Sequence, residues 1–190
     1  MVSHAYIHIP FCSHKCDFCD FAAFAGLDHL TDDYEKVVLK EMDDRLTALA
    51  AKRGDLKDER LKSVFFGGGT PGLVEPRVLG SMLAKLNSYI KPAHDSEITI
   101  ETTPHAITCD KLEQWESLGI NRISIGVESF LDEELKAMGR DHYRQEALQG
   151  LEMACLSKIA VVGLDLMYGL PTQTLESFTR SLASATDFAS

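Results

Sequence analysis

Three cysteines stand close together near the N-terminus. Cys12, Cys16 and Cys19 follow the spacing C-x3-C-x2-C in a loop that comes directly after an apolar segment. Thiolates at this spacing can converge on one centre, and three ligands rather than four leave an open coordination position, as in a reactive metal site. The spacing alone allows an iron–sulfur cluster with one free iron, or a zinc ion completed by His8, His14 or a distant residue.

Other candidate residues follow segments that are typical of strands. Gly68 and Gly69 belong to a run of three glycines, which lets a ligand approach the backbone closely, although a tight turn has the same pattern. Glu101 ends an apolar segment, where burial of a carboxylate is costly unless a polar ligand meets it, and a solvated rim is the alternative. Arg140 could bind a carboxylate or hydroxyls of a ligand, or form a surface salt bridge.

The remaining cysteines and most histidines show no ligand spacing. Cys109 and Cys155 are far from the triplet in sequence, and Cys155 lies on an apolar helical stripe, so both are predicted to be packing residues. The histidines outside the first loop are not clustered in sequence either; they are His4, His29, His94, His105 and His142.

Five apolar, β-rich segments alternate with helical patterns. Strands are expected over 5–10, 61–66, 97–101, 122–127 and 159–167, and the first helix over 33–51, with a polar loop at 51–59. Each of the five predicted helices has one apolar face. The residues that form this face are Tyr34, Val37, Val38, Met42, Leu46 and Leu49 in the first helix and Leu79, Met82, Leu83, Leu86 and Ile90 in the second. They are Leu112, Trp115 and Leu118 in the third helix, Leu148, Leu151 and Cys155 in the fourth, and Leu175, Phe178 and Leu182 in the fifth. Strict alternation predicts an α/β fold with a parallel sheet, covered on both faces or curled into a barrel, and functional groups at the carboxyl ends of the strands.

Composition excludes several classes of function. The net charge of −10 and a pI near 5.1 argue against nucleic acid as a partner, and no apolar run is long enough for a transmembrane segment. Five cysteines, an odd number, favour a reducing compartment over a secreted disulfide framework. We expect a cytoplasmic protein, with an organelle still open because no transit peptide is visible.

The motif Tyr6-x-His8-x-Pro10-Phe11-Cys12, with the cysteine triplet, resembles the radical S-adenosylmethionine (SAM) family, and within it the oxygen-independent coproporphyrinogen III oxidase-like group. The resemblance covers nearly the whole chain. It implies an α/β partial (βα) barrel with about five βα units and a parallel sheet. It also implies that residues 1–190 are one incomplete radical SAM core domain, an N-terminal fragment of a longer chain.

The resemblance also implies the cofactors and their ligands. A [4Fe–4S] cluster would be held by Cys12, Cys16 and Cys19, and its free iron would bind SAM, which the reduced cluster cleaves to a 5'-deoxyadenosyl radical. Phe18 would contact the adenine. The full set of SAM-binding residues implied in this way is Tyr6, Phe18, Gly68, Gly69, Thr70, Glu101, Glu128, Arg140 and Asp165. Glu128 departs from the family, in which glutamine is common at this position.

One position separates two branches of the resembling group. The oxidases usually carry a further cysteine two residues after the third cluster cysteine, where this chain has Phe21. With the Gly-Val-x-Ser-Phe and Asp-Leu-Met-x-Gly-Leu-Pro motifs, this resembles the HemW-type haem chaperones. The expected role is to bind haem and deliver it to haem-receiving proteins, without an assigned catalytic residue. The alternatives are an oxidase that decarboxylates coproporphyrinogen III by radical chemistry and a zinc-stabilised binding module.

Overall fold

The computed structural model describes residues 2–54 and 56–188. The strands and helices in chain order are β1 (His4–Ile9), β2 (Phe11–Cys12), β3 (Phe24–Ala25), α1 (Thr31–Arg53), β4 (Arg60–Gly68), α2 (Pro76–Asn87), β5 (Lys91–Thr102), α3 (Cys109–Ser117), β6 (Arg122–Glu128), α4 (Asp132–Ala137), α5 (Arg144–Leu156), β7 (Val161–Leu166) and α6 (Leu175–Thr186). Five parallel strands form the main sheet in the order β1-β4-β5-β6-β7. This confirms the predicted α/β class and the five strand–helix units.

Strand and helix boundaries differ from the sequence prediction in a few places. β5 begins at Lys91, ahead of the predicted start, because the polar residues before the apolar core still pair with β4, Arg60 opposite Lys91. The expected polar loop over 51–59 contains the end of α1 and a 3-10 turn that buries Leu56. The two short strands β2 and β3 and the short helix α4 were not predicted, since each is too short to show a period.

The sheet has one aliphatic face, which packs under the helices. Alternate residues of β1, β4, β5 and β6 point to this side and are buried; they are Ile7, Ile9, Val64, Phe66, Ile98, Ile100, Ile123, Ile125 and Val127. Helices α2 and α3 cover them with Val78, Leu79, Met82, Leu83, Leu86, Leu112 and Trp115. The other face has polar, aromatic or glycine residues at the intervening positions. Period-two alternation therefore separates a packing side from an open side.

The outer helices bury less than their patterns predict. Residues of α1 such as Tyr34 and Met42 pack against the core only partly, and Val37 is 65% exposed, so its assignment to the packed face is wrong. In α6, Leu175 and Leu182 are exposed too, because the helix is buried chiefly at Ser181, which contacts the segment after β6, and packs on the core near its C-terminus. Within the described part of the chain, no helix is both long and apolar enough to span a membrane.

The two cysteines outside the triplet do not pack as predicted. Cys109 begins α3 and Cys155 lies near the end of α5, and both thiols belong to exposed residues. The apolar stripe of α5 turns Leu151 and Ala154 inward, and Cys155, the next residue, falls outside that sector. Their assignment as buried packing residues is therefore wrong.

Candidate functional site

A cleft opens at the carboxyl ends of the parallel strands, on the face opposite the aliphatic core. Its empty volume is about 750 Å³, including the open mouth. Of the predicted site residues all but Tyr6 line it, namely Cys12, Cys16, Phe18, Cys19, Gly68, Gly69, Thr70, Glu101, Glu128, Arg140 and Asp165. The topology therefore brings together residues that lie far apart in sequence, as expected for the ends of parallel strands.

The cysteine loop is closed at its base and held from two sides. β2 pairs with β3, so that Phe11 lies opposite Phe24 and the loop between them begins and ends at the same place. Tyr34 of α1 donates a hydrogen bond to the carbonyl oxygen of His8 and packs edge-on against Phe11, with ring centroids 5.2 Å apart. At the far side, the Asp17 amide donates to the carbonyl oxygen of Met138 at 3.2 Å.

The three thiols of this loop line the same cleft. Cys12, Cys16 and Cys19 are free cysteines in its lining. Thiolates around a zinc ion, with bonds of about 2.3 Å, would lie about 3.8 Å apart. Within the described residues, the three sulfurs do not all lie within 4.8 Å of one another, so they are not gathered around one tetrahedral ion. In a cubane cluster each thiolate ligates a different iron, so the sulfurs need not lie this close.

The electrostatics of the loop also favour the binding of a cation. Burial raises the pKa of the Cys12 thiol, a hydrogen bond from Thr70 opposes that rise, and the charges of Cys19 and Cys16 add to it. A thiolate held by burial among other thiolates is unfavourable until a positive centre ligates them. The residues present therefore fit a [4Fe–4S] cluster with three cysteine ligands.

The glycine run packs directly against the cysteine loop. The Gly69 amide donates to the Ile9 carbonyl and the Thr70 amide to the Phe11 carbonyl, both at 2.7 Å. A Cβ at Gly69 would lie 2.5 Å from the Phe11 oxygen and 3.0 Å from the Cys12 sulfur, which no side chain allows. These glycines are thus needed for close packing of two backbones, and their amides are already paired within the chain.

Three carboxylates from three strands face the cleft. The Gly68 amide donates to Glu101 at 3.1 Å, and Ser124 donates to Asp165 at 3.2 Å. Burial raises the pKa of Glu101, with Asp165 adding to the rise and the Gly68 bond opposing it. Burial raises the pKa of Glu128 as well, and there Arg140 opposes and Asp165 adds. Because the carboxylates repel one another, the cleft favours a cationic ligand.

Glu128 lines the cleft in an unusual backbone conformation. Alternation along β6 places it on the same side as Ser124 and Gly126, opposite the buried Val127. Its φ is 68°, in the left-handed region, at the point where the pairing of β6 with β7 shifts register. Such strain in a residue other than glycine costs on the order of 1 kcal/mol and is concentrated at functional sites. Glu128 thus lies in the cleft although it departs from the usual family residue.

Arg140 contacts the cysteine loop directly. Its Nη1 donates to the Cys16 sulfur at 3.3 Å, and its Nη2 donates to the Gly126 carbonyl. The contact of Arg140 with a SAM carboxylate or hydroxyl stays a prediction. The guanidinium lies between the cluster side of the cleft and Glu128, where it opposes the rise in the pKa of Glu128 that burial causes. Hydrogen bonds to a ligating sulfur tune the charge and potential of iron–sulfur centres.

The aromatic candidates occupy different places. Phe18 and Phe21 line the cleft and are 41% and 68% exposed, so their rings are free to contact a ligand. Tyr6 lies outside the cleft lining; it stacks on Phe65 with centroids 6.0 Å apart, and its hydroxyl is 3.2 Å from His8 Nδ1. Glu101 contributes to raising its pKa, after burial, so Tyr6 lies beside the floor of the cleft.

The structure also adds residues that the sequence did not reveal. Ser13, Ser124 and Asp141 line the cleft, and Ser13 donates a hydrogen bond to Asp141. His105 and His142, which show no clustered spacing in sequence, lie beside Asp141 with their ligand atoms within 4.8 Å of one another. The contact is made in the folded chain, between the turn after β5 and the connection from α4 to α5. In the sequence, the only feature that indicates Asp141 and His142 as site residues is their position directly after Arg140.

Known proteins resemble the chain over most of its length. Residues 6–185 match the model of the radical SAM superfamily. The "Heme chaperone HemW" of Escherichia coli (strain K12) is 36% identical over 181 residues, which cover 95% of this chain and 46% of that protein. The bovine "Radical S-adenosyl methionine domain-containing protein 1, mitochondrial" is 34% identical over 179 residues, which cover 93% of this chain and 38% of that protein.

A solved structure agrees with this likeness. That of coproporphyrinogen III oxidase (HemN) from Escherichia coli, described as a radical SAM enzyme, superposes with a TM-score of 0.86 at 28% identity and covers 98% of this chain and 42% of that one. The chain thus spans less than half the length of these relatives. Since the family model covers nearly all of the described residues, the chain belongs to the radical SAM superfamily, whose members use a [4Fe–4S] cluster and SAM.

Proposed function

We propose that this chain is the radical SAM portion of a haem chaperone of the HemW type. In the longer parent, the protein would bind haem and deliver it to haem-receiving proteins. The observation that carries the proposal is Phe21, which lines the cleft where the related oxidases usually have a cysteine. The identity of 36% to the Escherichia coli haem chaperone, against 28% to the oxidase structure, supports the same choice.

The cysteine loop would hold the cluster, with Cys12, Cys16 and Cys19 as ligands to three irons. When bound, the reduced cluster supplies an electron for the cleavage of SAM. Arg140, which donates to the Cys16 sulfur, would stabilise the thiolate form of that ligand. The Thr70 hydroxyl lies 3.7 Å from the Cys12 sulfur and would do the same for a second ligand. The five cysteines are free, which suits a reducing compartment.

The carboxylates would orient SAM on the open side of the cluster. SAM carries a sulfonium and an ammonium group, and Glu101, Glu128 and Asp165 provide the complementary negative charge. Phe18 would stack on the adenine, and Tyr6 would support Glu101 from below. The Gly68–Thr70 segment, which packs directly against the cysteine loop, would place the methionine part close to Cys12.

An oxidase remains the second candidate, favoured by the TM-score of 0.86 to the HemN structure. In that case the same cleft would direct radical oxidation of the propionate side chains of coproporphyrinogen III. The two candidates share the cluster and SAM, and they differ in whether a porphyrin is carried or converted.

The parent protein allows a direct test. Titration of the parent with haem should saturate, while the 190-residue chain, which spans less than half the length of its relatives, should bind haem at least about tenfold more weakly. An anaerobic assay of the parent with dithionite, SAM and coproporphyrinogen III should give no protoporphyrinogen above a control without protein. Product formation at several turnovers per hour would overturn the chaperone and establish the oxidase. Failure of haem to saturate, with no product, would contradict both.

A further inference from the structure

A second group of metal-ligand side chains lies against the cysteine loop and has no part in the proposed cluster or SAM contacts. His105 belongs to the turn after β5, and Asp141 and His142 belong to the connection between α4 and α5. One ligand atom from each lies within 4.8 Å of the others. Ser13, the residue after Cys12, donates a hydrogen bond to Asp141 Oδ2 and thereby joins this group to the cysteine loop.

The tautomer of His142 follows from its one hydrogen bond. The residue is 1% exposed, and its Nε2 lies 3.2 Å from the Val127 carbonyl oxygen. A carbonyl only accepts, so Nε2 carries the hydrogen and Nδ1 holds a lone pair. Burial, with Arg140 beside the ring, lowers the pKa of His142 to about 4, so the ring is neutral near pH 7. Nδ1 is buried and has no hydrogen-bond partner among the described residues.

The tautomer of His105 follows from Ser13. The single hydroxyl hydrogen of Ser13 is donated to Asp141, so the Ser13 oxygen, 3.4 Å from His105 Nε2, acts as an acceptor there. Thr103 Oγ1 is a further partner of the same nitrogen at 3.5 Å. Nε2 therefore carries the hydrogen in the neutral ring. His105 Nδ1 is left with a lone pair, is buried and has no hydrogen-bond partner among the described residues.

The three side chains of this group therefore each offer an electron pair. His105 Nδ1 lies 3.6 Å from Asp141 Oδ1, and no hydrogen stands between them in the neutral form. Burial favours the neutral carboxyl, but the Ser13 hydrogen bond, the His105 ring when it is protonated and the Arg140 charge outweigh it, and the pKa of Asp141 is lowered. A carboxylate turned toward two lone pairs is unfavourable unless a cation lies between them.

We propose that His105 Nδ1, His142 Nδ1 and the Asp141 carboxylate form a binding site for a divalent transition-metal ion, with Zn²⁺ as the probe. Ligand atoms around a tetrahedral ion with bonds of about 2.1 Å lie about 3.4 Å apart, close to the observed 3.6 Å. Two imidazoles and one carboxylate suit Zn²⁺ or Fe²⁺. Val127 and Ser13 play the part of the outer partners that normally fix metal-bound histidines.

One positive charge opposes the ion. Arg140 lies near His142, and its Nε is buried without a hydrogen-bond partner among the described residues. Its Nη atoms turn away, to the Cys16 sulfur and the Gly126 carbonyl, and the Asp141 charge balances part of the repulsion. A bound ion would cross-link the turn after β5 to the connection between α4 and α5 and, through Ser13, would brace the cysteine loop.

Metal analysis on the 190-residue chain tests the proposal. The cluster is first reconstituted so that the three thiols are occupied, and equilibrium dialysis against Zn²⁺ then counts additional zinc. We expect one zinc per chain, and the same zinc in a variant in which Cys12, Cys16 and Cys19 are replaced by serine. His105→Gln and His142→Gln should each weaken it about tenfold or more. The matched control His29→Gln, at an exposed histidine, should leave it unchanged.

Imidazole nitrogen NMR gives a second readout that does not depend on the folding of the variants. In the wild-type chain, Zn²⁺ should shift the Nδ1 signals of two histidines that carry their hydrogen on Nε2. Zinc binding that survives both His→Gln changes would overturn the proposal, as would the absence of zinc beyond the cysteines. A further contrary result is a doubly protonated His105 in the metal-free spectrum near pH 7, with no change when Zn²⁺ is added. It would show that a proton occupies the place of the ion, and it would also overturn the proposal.

Discussion

The two faces of the main sheet are formed by the same strands, but one packs against the helices and the other lines the cleft. On one face, Ile100 and Ile123 are fully buried under the helices. On the other, Glu101 and Ser124, their immediate neighbours in sequence, face an open cleft with polar side chains. The aliphatic face gains free energy from burial, whereas the cleft face keeps three carboxylates whose mutual repulsion and burial are unfavourable. The cleft is therefore built for ligands that supply positive charge.

The difference explains why the strand ends tolerate unfavourable features. The left-handed Glu128 and the close backbone contact at Gly69 both occur on the cleft side. The aliphatic face fixes the strands on which these residues stand, so the strain does not relax by moving the strand. Stability on one face thus permits preorganisation on the other.

The largest expected effect comes from the aliphatic face. Ile100→Ala removes a side chain with no exposed area and should lower the free energy of unfolding by about 2 to 5 kcal/mol. Ser124→Ala, one strand away on the cleft face, should change it by no more than about 0.5 kcal/mol. Urea denaturation of the two variants measures the difference. Equal losses would contradict the division between the faces.

The next largest effect is on the affinity for SAM, and it tests the role of the negative charge in the cleft. Glu101→Gln keeps an oxygen that accepts from the Gly68 amide but removes the charge, and should weaken SAM binding by about 1.5 to 3 kcal/mol, or about 10- to 150-fold. Glu97→Gln, at an exposed position of the same strand, is the matched control and should bind SAM normally. Calorimetry on the cluster-loaded chain measures both. Unchanged affinity in Glu101→Gln would remove that residue from the site.

The pH dependence of the same binding follows from the direction of the pKa shifts. The pKa values of Glu101 and Glu128 are raised, so these carboxyls become protonated as the pH falls through values above their ordinary range. Cationic SAM prefers the ionised forms, and its affinity should therefore decline as the pH falls through these raised pKa values. Glu101→Gln should reduce this slope, and the double variant with Glu128→Gln should flatten it. A slope equal to the wild-type slope in the double variant would assign the effect to other groups.

A smaller effect concerns the contact between the glycine run and the cysteine loop. A Cβ at Gly69 would meet the Phe11 carbonyl and the Cys12 sulfur, so Gly69→Ala should displace the loop, at a cost of about 1 to 3 kcal/mol. Cluster incorporation should fall accordingly. Gly163→Ala, also on the cleft face but with neighbours at 3.5 Å or more, should assemble a normal cluster. Iron content after reconstitution compares the two.

The sequence predicts the framework well because apolar periodicity governs it. All five main strands and the helices that follow them occur where their patterns indicate, and the cysteine, glycine and acidic residues meet because parallel strands end at one edge. Long-range geometry escaped prediction. His105 meets His142 only through the folded chain, and no local pattern encodes the left-handed backbone of Glu128 at the register shift of β6.

The sequence also does not predict how exposed individual apolar residues are. Val37 and Leu175 fit helical stripes, yet both are largely exposed, because a stripe predicts which side of a helix is apolar and not how much of it a neighbour covers. Cys155 shows the same effect at the margin of the α5 stripe. Tyr6 belongs to the motif of the first strand, but its ring stacks beside the cleft floor and does not line the cleft.

Iron, sulfide and zinc analysis after anaerobic reconstitution tests the central claim, that the cleft holds a cluster with an open iron, most directly. The chain should bind about four irons and four sulfides, and Cys12→Ala, Cys16→Ala or Cys19→Ala should each abolish this. Addition of SAM should change the electron paramagnetic resonance spectrum of the reduced cluster. Zinc held by these cysteines in place of iron, or a cluster spectrum that SAM leaves unchanged, would contradict the claim.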